Sequence, residues 1–411
     1  MGLGRNWPPP AYARTHNGAP MANLPFFLAS FTWNYALGMT WLAVPLFAHS
    51  KGLSGAELGI LFSLPAVLQL AITLVGGAYV DRVGGRRIML ASSVLLAAGA
   101  AAMPFAWDFA SIFAAQLILV LARATFWPAN WAIASELPGD HGVQAGRLNA
   151  VSSAGQILGN GSCGFVLAFG GFPVTFGVLA GLAIAALLLG LRLPGRARAN
   201  PSGQSLFGNY RVLIRMPVLL YGVMCAYLSA LPFSLSLSFY PLLLQYLGFG
   251  EEVSGVLLAL RAVGGIGAGL LVARFVHTGP GSLWPVVSGA FVAAGVGLQP
   301  LFSHWAAVGT LMLALGVGSG LMTIYFQVTL AELVNPEMRG SAMALGGVGW
   351  GVSHITTPLV MGLMADRYGI PSGFYVLGAA SLVVVGLVAV LRNWAFARTR
   401  LAVKGGAGAA Q

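Results

Sequence analysis

Residues Leu53–Leu64 read LSGAELGILFSL and residues Phe249–Leu260 read FGEEVSGVLLAL; at a shift of 196 they superpose, with Gly59 over Gly255. The echo runs on down the chain. At the same shift Glu136 and Leu137 fall over Glu332 and Leu333, and at 198 Phe172, Pro173 and Phe176 fall over Ile370, Pro371 and Phe374. Apolar composition inflates such matches, yet their agreement on one offset reads as a duplicated unit.

The solvent of that unit follows from composition. Of the 411 residues 57% are hydrophobic and only 8% charged, with a mean hydropathy of +0.82. A soluble domain carries about 25% charged residues because its surface faces water; here the surplus apolar surface must face lipid. The hydropathy excludes disorder, and 57 glycines without a three-residue period exclude collagen. A hydrocarbon core of about 30 Å takes about 20 helical residues. Twelve apolar runs meet that length: 22–48, 54–80, 87–106, 109–134, 145–169, 172–192, 217–247, 252–274, 283–303, 305–331, 341–365 and 371–392.

The longest break, Pro194 to Met216, holds Arg196, Arg198, Asn200, Pro201, Ser202, Gly203 and Gln204 and divides the twelve runs equally. The expected fold is an all-α membrane protein of 12 transmembrane helices in two pseudo-symmetric six-helix bundles. The divisions are a flexible cytoplasmic arm (1–21), an N-terminal bundle (22–193), a cytoplasmic linker (194–216), a C-terminal bundle (217–393) and a cytoplasmic tail (394–411). The arm lacks the short apolar core and small-residue cleavage site of a secretory signal, so the first span is expected to stay as an anchor.

Charge orients the spans. Of 21 Lys and Arg, seventeen lie on one side, in the arm, the even-to-odd loops, the tail or the span ends that border them (Arg87, Arg147, Arg192, Arg274 and Arg392); Lys51 and Arg367 alone lie on the other side, and Arg123 and Arg261 lie in span interiors. Basic loops stay in the cytoplasm, so both termini are expected there. The net charge of +11 is thereby assigned to topology and anionic lipid headgroups, and nucleic acid is not an expected partner. The expected location is the cytoplasmic (inner) membrane, as a multi-pass protein and a monomer.

Two stretches carry a family resemblance. Gly77–Arg87 reads GAYVDRVGGRR, and it resembles the signature loop GxxxDRxGRR of the major facilitator superfamily, with Gly85 standing where a basic residue is usual. Gly362–Gly369 reads GLMADRYG and is similar to the GxxxDRxG often found at the end of span 11 there. In span 4 Arg123 stands where the proton-antiporter branch carries RxxQG, with Phe126 and Trp127 replacing Gln and Gly. The resemblance covers about residues 22 to 395. It implies a secondary active transporter, symporter or antiporter, working by alternating access, and a conformational latch formed by Gly77, Asp81, Arg82, Gly84, Arg86 and Arg87. Physically, Gly77 permits a close helix approach, and Asp81 can accept from a cation or from the free amides of a helix N-terminus.

Ionisable residues in lipid default to function. Arg123, Arg261 and His354 lie within spans, whereas all ten acids lie at span ends: Asp81, Glu136, Asp140, Glu332 and Glu337 towards the cytoplasm, Glu57, Asp108, Glu251, Glu252 and Asp366 opposite. Two guanidinium groups without a buried carboxylate favour an anionic or carboxylate-bearing organic solute. Either arginine can instead serve structure, and the glycines beside Arg261 point to tight packing. A histidine can carry a proton near neutral pH, so His354 is a candidate for proton coupling, together with Arg123, though beside Thr356 and Thr357 it can instead simply be hydrogen-bonded.

Polar and aromatic residues near these charges are Trp33, Asn34, Tyr35, Gln69, Asn130, Trp131, Gln156, Asn160, Tyr227, Ser234, Ser238, Tyr240, Tyr325, Gln327 and Trp350. In the family spans 1, 4, 7 and 10 line the cavity. The candidate substrate-binding set is therefore Arg123, Arg261, Trp33, Asn34, Asn130, Trp131, Tyr227, Tyr325 and Gln327. Aromatics near span ends otherwise act as interfacial anchors, and Gly155 and Gly159, spaced GxxxG, serve helix packing.

Other chemistries lack their parts. Lys51 and Lys404, the only lysines, are each followed by Gly, so no P-loop exists. Six histidines and two cysteines show no metal spacing, and no GxSxG elbow is present. No enzyme activity and no cofactor are expected; the partners are a small-molecule substrate, membrane lipid and a proton gradient. Two alternatives stay open: a multidrug/H+ efflux antiporter, and a non-transporting membrane receptor or scaffold.

Overall fold

The computed structural model describes residues 23–138, 140–193, 212–277, 279, 282–334 and 338–408; the side chains of 75–79, 81–82, 141–142, 272–273, 339–340 and 398–408 are not described. Among the described residues there is no strand. The helices are α1 (Leu24–Ser50), α2 (Gly55–Val83), α3 (Gly85–Ala102), α4 (Phe109–Ser135), α5 (His141–Leu191), α6 (Pro217–Ser236), α7 (Tyr240–Tyr246), α8 (Glu251–Gly267), α9 (Trp284–Gly297), α10 (Trp305–Leu333), α11 (Arg339–Gly346), α12 (Val348–Tyr368) and α13 (Ile370–Gly408). They make twelve crossings: α5 carries two, α6 with α7 one, and α11 with α12 one.

Local sequence sets the ends. Ser54 opens α2 with a capping box: its hydroxyl accepts from the amide of Glu57, whose carboxylate accepts from the Ser54 amide at 2.8 Å. Asp108 opens α4, accepting from the Ser111 amide at 3.0 Å and from its hydroxyl. The repeated Gly-x-Pro of the two halves makes one corner twice. Gly171 (φ +68) precedes Phe172 and Pro173, and Gly369 (φ +83) precedes Ile370 and Pro371. Each glycine takes the backbone where an L side chain would be strained, and the proline fits the first turn of the next helix.

Three expected spans are interrupted. The run 217–247 breaks at 237–239, because Pro241 has no amide proton and its ring would strike the carbonyl of Leu237 in a continuous helix. The run 341–365 breaks at Gly347, between α11 and α12. The run 252–274 leaves α-helix after Gly267 through a π-helical turn, Ala268–Val272.

Glycines bring the halves together. On α2 a Cβ at Gly59 would lie 2.8 Å from the Pro358 carbonyl oxygen of α12; on α8 one at Gly255 would lie 2.6 Å from the Asn160 carbonyl oxygen of α5. These two glycines superpose in the sequence repeat, so the duplicated units use one device at two seams. The same holds beside them: Gly362 meets the backbone of Gly55, and Gly164 meets that of Glu251. Both seams are thus closed at the ends next to the turns that open α2 and α8. Within the first half, Gly155 and Gly159 of α5 press on the α1 backbone at Phe31 and Tyr35, which fulfils the packing role expected of them.

Candidate functional site

The in-span cations meet in one layer midway along their helices. On α4, Arg123 donates from Nε and Nη2 to the Gln69 side-chain oxygen of α2, at 3.0 and 2.6 Å. It borders a small cavity of about 20 Å³, room for one water, shared with Thr40, Gln116, Leu119 and Leu237. Arg123 is also within electrostatic reach of His354 on α12 in the other half. His354 Nδ1 lies 2.8 Å from the Trp350 carbonyl oxygen and 3.3 Å from the Ser234 hydroxyl, and its ring stacks on Trp350.

From Trp350 the layer continues through aromatic rings. Trp350 lies 5.0 Å from Phe233 of α6, and the Arg261 guanidinium of α8 sits 4.3 Å from the Phe233 centroid and 5.6 Å from that of Trp41 on α1. Arg261 is 1% exposed, and among the described residues its Nε and Nη2 have no hydrogen-bond partner; the buried Trp41 Nε1 has none there either. Of the glycines beside it, Gly264 packs tightly, since a Cβ there would overlap the Leu313 carbonyl oxygen of α10, whereas Gly267 and Gly269 have open space; from α10, a Cβ at Gly316 would overlap the Arg261 carbonyl oxygen. Donors of a buried cation without acceptors are costly to keep, and rings recover part of that cost through their negative faces.

The other expected residues fall elsewhere. Trp33 is buried against Phe126, rings parallel at 3.6 Å. Asn34 accepts from Gln156 at 2.9 Å, and Asn130 accepts from Ser30 at 3.0 Å, so these three helices of the first half share a polar layer. Tyr227 pairs with Thr356 at 3.5 Å. Tyr325 is buried in the second half, its hydroxyl 3.1 Å from that of Tyr221, apart from the cationic layer. Trp131 and Gln327 are exposed.

Of the expected latch, Gly77, Asp81 and Arg82 lie outside the residues whose side chains are described. Gly84 (φ +93) makes the break between α2 and α3. Arg86 donates to the Leu191 carbonyl oxygen at 2.8 Å, closing the last turn of α5; Arg87 is exposed.

Trp41 and Phe233 escaped the sequence reading. Both sit in apolar runs where an aromatic residue is ordinary, and only the tertiary approach of α1, α6 and α8 makes them the walls around Arg261.

The model of the Major Facilitator Superfamily matches residues 26–302 and 281–405, so the chain belongs to that family. It is a multi-pass membrane protein of a family whose members are transporters and not enzymes. A Burkholderia pseudomallei protein, described as an uncharacterized MFS-type transporter, is 28% identical over 392 residues, 89% of this chain and 91% of that one. The human vesicular acetylcholine transporter is 26% identical over 367 residues, 82% of this chain, which spans 66% of that protein's length. In fold the chain is similar to a bacterial homolog of the human lysosomal transporter Spinster in an inward-facing, unoccupied conformation (TM-score 0.72, 15% identity, 93% and 99% of the two chains covered). It is also similar to the nucleoside transporter NupG (TM-score 0.73, 15% identity, 90% and 99% covered).

Proposed function

We propose that this transporter moves a small organic anion, carboxylate-bearing, across the cytoplasmic membrane by alternating access, coupled to protons, as a monomer with both termini in the cytoplasm. The observation that carries the reading is Arg261, a buried guanidinium at the seam of the two halves with donors that no acceptor among the described residues takes. Arg123 supplies a second positive pole in the same layer, and the spans hold no acid inside their ends to neutralise either. A carboxylate entering the seam satisfies these donors, and the rings of Trp41, Phe233 and Trp350 accept its apolar body. His354, between the arginine-bearing layer and Ser234, is the candidate proton carrier.

One observation favours a second reading. The sequence likeness to vesicular acetylcholine transporters, together with the aromatic rings, suits a cationic amine leaving by proton antiport, as in multidrug efflux. The two readings part on charge. In proteoliposomes with an imposed proton gradient, the anion reading expects counterflow of aromatic and aliphatic carboxylates, lost in Arg261→Gln and in Arg123→Gln. Uptake of cationic dyes or amines, indifferent to both substitutions, refutes it and supports the second. No counterflow of either class returns the receptor alternative. An unchanged pH response in His354→Gln removes the proton role of that residue.

A further inference from the structure

At the end of α12 facing away from the cytoplasm, Asp366 reaches across the seam to the start of α2. Its Oδ1 accepts from the Gly55 amide at 2.6 Å and its Oδ2 from the Ala56 amide at 2.8 Å. These are first-turn amides, which have no partner inside their own helix. Ser54 and Glu57 already satisfy one another in the capping box, so the α2 start does not need Asp366 for its local cap. The contact joins residues 311 positions apart, one from each half.

Packing alone does not account for it. The repeat-related seam, where Gly164 of α5 meets the Glu251 backbone, closes on glycine, and where α12 carries Asp366 the position 198 residues earlier, on α5, is Ala168. Asp366 is therefore an addition to one of two otherwise matching seams. It acts only while α2 and α12 are together: if the halves part on this face, both charge-assisted bonds are exchanged for water.

We propose that Asp366 is a gating residue of the transport cycle, whose carboxylate, clasping the Gly55 and Ala56 amides, shifts the balance towards the state closed on the outer face. The clasp is exposed at the water boundary, so its weight is that of a charge at a surface helix terminus, about fivefold in the equilibrium between the two states. It does not depend on which solute is carried.

The test uses the full chain in lipid nanodiscs, with spin labels on Trp107→Cys and Trp305→Cys. These exposed outer positions belong to opposite halves and lie off both seams; the native Cys163 and Cys225 are buried. Double electron–electron resonance reads the ratio of separated to apposed distances. Asp366→Asn is expected to raise that ratio about fivefold. Ala56→Pro, which deletes one donor in a helix turn that tolerates proline and leaves every charge in place, is expected to move it in the same direction by less. A wild-type ratio in Asp366→Asn overturns the proposal. So does a shift in Asp366→Asn with none in Ala56→Pro, because the carboxylate is then acting on something other than these amides. If Asp366→Asn does not fold, Ala56→Pro alone decides.

Discussion

Arg261 of the second half and Trp41 of the first face each other across the seam, the guanidinium carbon 5.6 Å from the indole centroid, and each keeps at least one side-chain N–H that no group among the described residues accepts. A cation buried this way is held by rings, and on the proposed reading a carboxylate solute supplies the acceptor. Arg261→Gln is expected to lower transport of the preferred anion at least about thirtyfold, because truncating a buried charged partner costs about 2–5 kcal/mol. Arg261→Lys is expected to fail nearly as badly, since an ammonium cannot present the planar fork. Trp41→Phe keeps the ring and deletes Nε1, and is expected to raise KM about two- to tenfold with little change in maximal rate. Initial-rate flux across substrate concentrations measures all three.

The bond from Arg123 to Gln69 makes a sharper test of the second positive pole. Gln69→Glu places a carboxylate where the amide oxygen now lies, 2.6 to 3.0 Å from two guanidinium nitrogens. That pair neutralises Arg123 without removing it. The expected result is a loss of anion flux of about ten- to hundredfold, the worth of about 1.5–3 kcal/mol for a charge-assisted bond, with protein levels in the membrane unchanged. Full flux in Gln69→Glu shows that Arg123 serves structure only.

Glycine packing sets stability in one place and not in another. Gly159→Val drives a side chain into the Tyr35 carbonyl region of α1, and is expected to cost about 1–3 kcal/mol or prevent folding. Gly181, also on α5, has nothing within 4 Å of the position its Cβ would take, so Gly181→Ala is expected to leave the melting temperature unchanged or slightly raised. Thermal unfolding in detergent, read by tryptophan fluorescence, separates the two.

The cap of α4 carries a pH dependence of known sign. Bonds from the Ser111 side chain and amide hold the Asp108 carboxyl below its ordinary value. A carboxyl depressed in the folded state contributes fully above its unfolded value and loses that contribution as pH falls through the folded one. Asp108→Ala is therefore expected to melt below the wild type at pH 7, with the gap closing as the pH is lowered past 4 towards 3. A gap that persists undiminished at pH 3 shows that charge plays no part in this cap.

Much of the architecture was legible along the chain. The repeat at 196 to 198 superposes Gly59 on Gly255 and Pro173 on Pro371, and both pairs do matching work in the structure. Spans 7 and 11 were read as unbroken because hydropathy registers solvent and not backbone continuity; Pro241 and the Gly346–Gly347 pair carried the breaks. In the site, Arg123, Arg261 and His354 stood out since ionisable groups are conspicuous in an apolar run. Trp33 and Tyr325 were equally conspicuous, and the structure buries them beside Phe126 and Tyr221, away from the cationic layer.

Composition, the basic asymmetry of the loops and the duplicated pattern were sufficient for a twelve-helix membrane chain in two similar halves. These signals act residue by residue, through transfer of each side chain to lipid or water, so order along the chain preserves them. Which rings enclose Arg261, and that Asp366 should meet amides 311 and 310 positions away, depend on how rigid helices rotate and slide against one another. That choice is made by the close fit of many side chains at once, and it became readable only with the helices in place.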